Sequence, residues 1–272
     1  MIPEPLLAMR VPEPLTLTLT WVSVALACVG IVWSLRHLAR TGEPMPLFLG
    51  VGGAIASLTE PLYDIMALIW HPVIGQWTAF HLFGRNIPMF IPWGWCWNVG
   101  FTSALFWLAF HTGRIRADNL WWWFAGSVGM NMLFEIPGTS LSVYVYYGHQ
   151  PLALTHGLYP LGIAFGNGAA TLVISFLAHR LEPVFRRGFL AWTCGWFITT
   201  FGFWMGSAPG WLPTMMAAQS DGWSPSAVQC MGIVSLLLTL GLVRILQRVL
   251  ADESMVRSRA QSGACVPLAV SP

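Results

Sequence analysis

The run Pro46–Trp70, PLFLGVGGAIASLTEPLYDIMALIW, combines the length of a membrane-crossing helix with two carboxylic acids in its apolar interior. A hydrocarbon core about 30 Å thick is spanned by roughly 20 helical residues, so the segment reads as a transmembrane span. Glu60 and Asp64 stand four residues apart and therefore share a helix face. Pro61 directly follows Glu60 and is expected to disturb the helix and free a carbonyl beside the acids. His71 continues the same face outward.

Six further runs have the same character: Leu15–Leu35, Met89–Phe110, Leu120–Tyr146, Tyr159–Ala178, Gly188–Ala208 and Ser226–Leu246. The expected fold is all-α, a single integral-membrane domain over residues 1–272 with seven transmembrane helices and tails at 1–14 and 250–272. Composition points the same way. The chain is 56% hydrophobic and only 9% charged, whereas soluble domains carry about 25% charged residues. This excludes an aqueous enzyme and a disordered chain, and a net charge of +2 leaves no basic footprint for nucleic acid. The acidic, proline-containing start MIPEPLLAMRVPEPL lacks the basic region and cleavage site of a signal peptide, so the first apolar run is expected to be retained.

All 13 basic residues are arginine. With the N-terminus outside, eleven of them fall in cytoplasmic segments, and only Arg10 and Arg85 remain on the outer face. The positive-inside rule thus predicts an outer N-terminus and a cytoplasmic C-terminus in the cell membrane. Trp21, Trp70, Trp77, Trp93, Trp211 and Trp223 mark the outer boundary, and Trp121, Trp122, Trp123 and Trp192 the inner one. Gly162-x-x-x-Gly166 and Gly202-x-x-x-Gly206 suit close helix packing. The five cysteines are scattered, with neither a disulfide framework nor zinc-ligand spacing.

Ionisable residues at bilayer depth are costly and mark functional sites by default. Glu135 on the fourth run joins Glu60 and Asp64, with Asn131, Thr139, Ser142 and Tyr146 recurring around it at helical spacing despite Pro137. Asn167, Thr171 and Ser175 form a shorter polar face on the fifth. Both acid-bearing stripes run outward, towards His81, Arg85, His149, His156 and Asp221. A polar pocket opening outward, roofed near Phe80–Pro88 and His149–Tyr159, is the expected site. No arginine or lysine lies within a span to neutralise the acids, so at least one is expected to hold a proton and serve as donor or relay. The plain structural alternative is a hydrogen-bonded glutamate joining helices.

Absent features narrow the chemistry. Without lysine there is no retinal Schiff base. Aspartate-rich diphosphate motifs, di-iron histidine boxes, a GxSG protease signature and nucleotide loops are likewise missing from the sequence.

A seven-helix chain with an acid on its second helix and another near its last resembles the small integral-membrane terpene cyclases of meroterpenoid and indole-terpenoid pathways. The resemblance implies protonation of an epoxide or alkene on a prenylated, lipophilic substrate, with no metal and no cofactor. The family's second-helix glutamate falls on Glu60 in Thr59-Glu60-Pro61-Leu62-Tyr63-Asp64. Its second acid maps onto Asp221, which stands just before the last helix rather than on it, so Asp64 or Glu135 could fill that role. The run from Glu135 through Tyr144-Val145-Tyr146-Tyr147-Gly148 to Pro151-Leu152 and Pro160-Leu161 is also similar to membrane carotenoid hydratases.

On this reading Glu60 is the general acid, Asp64 its partner or the terminal base, and Glu135 and Asp221 further acid–base candidates. Tyr63, Trp95, Asn131, Tyr146, Asn167, Trp204 and Trp223 are expected at the substrate, their aromatic members offering cation–π faces to a carbocation. A proton-coupled transporter is the alternative from another class, and a receptor-like or assembly protein a third.

Overall fold

Proline and glycine punctuate the long helices of the computed structural model, which describes residues 3–154, 159–185 and 189–263. After a short α1 (Glu4–Leu7), α2 (Glu13–Thr41) has Pro14 in its first turn, where the missing N–H costs nothing. It stops at Gly42, whose φ of 73° lets its N–H return to the Leu38 carbonyl. The second apolar run forms α3 (Met45–Ala56), a 3-10 turn (Ser57–Thr59) and α4 (Glu60–Met66). The break lies where Pro61 was expected to disturb the helix, and it places Glu60 at the start of α4.

The third run is composite: α5 (Phe90–Gly94), a π-helix (Trp95–Phe101) and α6 (Thr102–His111). A Cβ on Gly100 would lie 2.5 Å from the Leu49 carbonyl oxygen, so glycine is what lets this wide turn press against α3.

Then follow α7 (Leu120–Ser140), α8 (Leu161–Phe185), α9 (Phe189–Cys194), α10 (Ile198–Ala218) and α11 (Pro225–Gly263). Helix α8 is central and is packed by α6, α7, α10 and α11. Gly162 and Gly166 on α8 face α10, and Gly202 and Gly206 on α10 face α8; a Cβ on Gly206 would sit 2.5 Å from the Ala170 Cα.

The chain is mostly helical, and among the described residues four helical stretches are long and apolar enough to cross a membrane: Glu13–Thr41, Met45–Met66, Leu161–Val184 and Pro225–Asp252. This is the character of a helical membrane protein. Several boundaries differ from the sequence reading. The fourth run does not stay helical to Tyr146, because the chain turns after Ser140 through Ser142 at φ 55°. The sixth runs on to Ala218 with Pro209 and Pro213 inside it. Helix α11 also continues beyond Leu246, since neither glycine nor proline occurs between Gly241 and Gly263.

Among the described residues three small antiparallel ribbons cap one end of the helices. Strand β1 (Ile69–Trp70) pairs with β4 (Val145–Tyr146) through Ile69↔Tyr146 and Trp70↔Val145. Strands β2 (Thr78–Leu82) and β3 (Arg85–Pro88) form a hairpin whose turn residues, Phe83 and Gly84, both have positive φ. Strands β5 (Ala153–Leu154) and β6 (Tyr159–Pro160) make the third ribbon. Arg85 ties the first two together. Its buried guanidinium donates to the Ile69 carbonyl at 3.1 Å and to the Tyr147 hydroxyl at 2.9 Å, and it lies 5.8 Å from the Trp70 ring.

Candidate active site

Glu60 begins α4, and one turn later Asp64 points to the same side, both side chains buried. The Trp95 indole, at the start of the π-helix, donates to Glu60 Oε2 at 2.8 Å. After α4, Leu68 at φ 55° turns the chain into β1, which brings His71 back over the acids. His71 Nε2 lies 3.5 Å from Asp64 Oδ1 and 3.9 Å from Glu60 Oε1. The acids therefore have a basic partner although no arginine or lysine enters their helix. Neither carboxyl oxygen of Asp64 and neither ring nitrogen of His71 has a hydrogen-bond partner among the described residues. Groups of this kind buried without full hydrogen bonding are rare and concentrate at functional sites.

Glu135 comes from α7 on another wall. The turn after Ser140 folds Tyr144 and Tyr146 back onto it, and their hydroxyls donate to Glu135 Oε2 at 2.7 and 3.3 Å. The β1–β4 pairing joins the two halves, since its register sets Ile69 against Tyr146 and Trp70 against Val145 and so brings His71, just after β1, towards Tyr144, just before β4. The His71 and Tyr144 rings are 5.4 Å apart.

A cavity of about 270 Å³ lies between these walls, with Glu60, His71, Trp95, Glu135, Tyr144 and Tyr146 on its surface. Asn131 and Asn167 line it too; Asn167 Oδ1 accepts from the Trp211 indole at 3.0 Å, and Asn131 donates to the Ser127 carbonyl. Asp64 stands behind Glu60 and His71 and is not on the cavity surface.

Tyr63 and Trp204 lie in a second layer. Tyr63 stacks on Trp204 at 4.3 Å and on Trp95 at 5.7 Å, which fixes the indole that holds Glu60. The structure does not bring Asp221 and Trp223 to the cavity, for both are exposed in the turn before α11. His81 and His149 are exposed as well, and His156 lies outside the described residues.

Trp211, Phe203 and Asn98 belong to the cavity wall and were not singled out for it from sequence. Asn98 carried a signal, being an amide in the middle of an apolar run. Trp211 carried none that separated it from a boundary tryptophan.

Among the described residues two trios hold donor atoms close enough together to share a metal ion: Glu60, Asp64 and His71 at the cavity, and His111, His179 and Glu182 at the opposite end. In the second, Glu182 Oε2 lies 3.0 Å from His111 Nδ1 and 3.9 Å from His179 Nδ1. Comparison with protein-family models, curated proteins and solved structures finds no match to the chain.

Proposed function

We propose that the protein is an integral-membrane, acid-initiated isoprenoid cyclase that works without metal, with seven membrane crossings, an outer N-terminus and a cytoplasmic C-terminus. The chain forms helical segments at all seven apolar runs, and eleven of thirteen arginines fall on the side assigned to the cytoplasm. The cavity then opens towards the outer half of the membrane.

One observation carries the chemical reading: Glu60 and Glu135, from different helices, face a single aromatic cavity, and each is hydrogen-bonded by aromatic donors. Glu60 delivers its proton to the oxygen of a prenyl epoxide or to a terminal alkene. The C–O bond opens, or the double bond takes up the proton, and a neighbouring alkene closes on the cationic carbon. Trp95, Phe203 and Trp211 turn ring faces or edges towards that carbon, and a desolvated cation–π contact contributes about 2 kcal/mol. Glu135, poised by Tyr144 and Tyr146, takes the final proton, so the product is an isomer of the substrate. Between cycles Glu135 releases its proton, and Glu60 is reloaded through His71 beside it on the cavity surface and Asp64 behind it, so the proton balance closes. Most of the cavity surface is apolar, which favours ring closure over capture by water. With water admitted, the same groups would hydrate an alkene, the alternative that the Glu135–Tyr146 run suggests.

The test is conversion of a prenylated phenol epoxide by the purified protein in EDTA, with Glu60→Gln as the control. Ring-closed product from the parent alone is expected. Turnover at the parental rate in Glu60→Gln would overturn the assignment.

A buried Glu–Asp–His cluster also suits a proton-coupled transporter. Uptake into proteoliposomes that depends on a pH gradient, with no chemical conversion, would favour that reading.

A further inference from the structure

Exposure changes in one direction across the cavity. Leu133 on α7 and Leu141 just after it are 68% and 55% exposed, whereas Trp95, Phe203 and Trp211 on the opposite wall are 8%, 4% and 5% exposed. Helix α2 contributes Leu15 and Leu19 to the same rim as Leu133. Yet α2 packs on α3 and α5, and α7 packs on α8, so α2 and α7 scarcely touch among the described residues. The cavity is therefore a cleft that opens sideways between two helices. Its mouth is apolar, with Leu133, Phe134 and Leu141 exposed there, and its closed end holds Glu60 and the indole bonded to it.

Its volume of about 270 Å³ is below the roughly 300–1,000 Å³ of pockets that enclose a drug-sized ligand. A cavity of this size suits the isoprenoid end of a prenylated aromatic molecule better than the whole of it. The other end is then left in the mouth, on the apolar outer face of the helices.

We infer that the substrate enters laterally from the bilayer between α2 and α7, the distal end of its isoprenoid chain first, and leaves its non-isoprenoid head at the Leu19–Leu133 rim. The inference rests on the cyclase reading of the site and adds to it the entry route and the orientation of the substrate. The chain moves from hydrocarbon into an apolar cleft without crossing water, so entry has no desolvation cost. The reactive end must meet Glu60 at the closed end of the cleft, so the head group is left at the mouth. Specificity should thus be strict for chain length and loose for the head group.

Two non-cyclising analogues of a prenylated phenol epoxide test this on the unmodified protein in nanodiscs. One carries a diazirine on the phenol, the other on the distal isoprene unit, and adducts are mapped by mass spectrometry. The phenol probe is expected to label α2 and α7 around Leu19, Leu133 and Leu141, and the chain probe to label Trp95, Phe203 and Trp211. Both signals should exceed labelling at Leu237 on α11 at least tenfold and vanish under excess unlabelled epoxide. A reversed pattern, or labelling spread equally over α11 and indifferent to competitor, would overturn the inference. Turnover in the same preparation separates the two ideas. Ordered, competed labelling without ring-closed product keeps the entry route and removes the cyclase reading. Product with reversed labelling does the opposite.

Discussion

Trp95 and Glu60 are 35 residues apart in sequence, and the indole N–H of one meets a carboxyl oxygen of the other at 2.8 Å. This contact orients the proposed acid, and Tyr63 and Trp204 stack behind it to hold the indole in place. Glu60→Gln should lower turnover 10²–10⁴-fold, the range for loss of a positioned general acid. Trp95→Phe keeps an aromatic face but removes the donor, and should cost about tenfold. Single-turnover kinetics on both variants measure the difference; a parental rate in Trp95→Phe would mean that the indole acts through its ring face and not through its hydrogen bond.

Asp64 and His71 form a buried pair beside Glu60. Removing one member leaves the other buried without its partner, which typically costs about 3–5 kcal/mol. Asp64→Asn and His71→Gln should each lower the unfolding temperature in detergent, and the double variant should lose clearly less than the sum of the two. Additive losses would show that the two side chains do not interact.

Glu135 accepts a shorter hydrogen bond from Tyr144 than from Tyr146. If Glu135 receives the final proton, Tyr144→Phe should redistribute the product among deprotonation isomers while substrate consumption continues, and Tyr146→Phe should do so less. Gas chromatography of the products distinguishes this from a uniform loss of rate.

Turnover should persist after EDTA treatment, because the proposed chemistry takes its proton from carbon-bound carboxyls. Added Zn²⁺ should inhibit, since Glu60, Asp64 and His71 offer converging donors that the ion would occupy. His111→Ala, at the other trio, should leave that inhibition unchanged. Activation by metal would reverse the mechanism.

The topology is checked by labelling in intact cells with a membrane-impermeant maleimide, in a cysteine-free background. Asp221→Cys should react from outside, and Asp118→Cys only after permeabilisation. Asp118 is an exposed loop residue, its carboxyl held below the usual range by its hydrogen bond to Arg116.

The helices and the three acids were legible because both signals are local: an apolar run of sufficient length, and a carboxyl within it. The partners of the acids were not. Trp95 is one of 16 tryptophans, and nothing in its neighbourhood points to a residue 35 positions earlier. Tyr146 was placed on a helical stripe with Glu135, and the structure brings the two together by another route, a turn at Ser142 that folds the chain back. That turn depends on a non-glycine residue in a left-handed conformation, which composition does not announce. Pro209 and Pro213 lie inside α10, as neighbouring helices can satisfy the groups they free. His71 was placed on the face of Glu60, but its return over Asp64 depends on the bend at Leu68.

The π-helix from Trp95 to Phe101 has one more residue per hydrogen-bonded loop than an α-helix would hold. Each residue turns an α-helix by about 100°. Excising a single amino acid between Cys96 and Phe101 would let the bulge relax to ordinary winding and swing the indole a quarter-turn around its axis, away from the carboxyl it orients. The distance between donor and acid is thus set by a miscount in the winding of the chain, and a frame-preserving deletion of three nucleotides would disarm the centre while leaving every one of its acids in place.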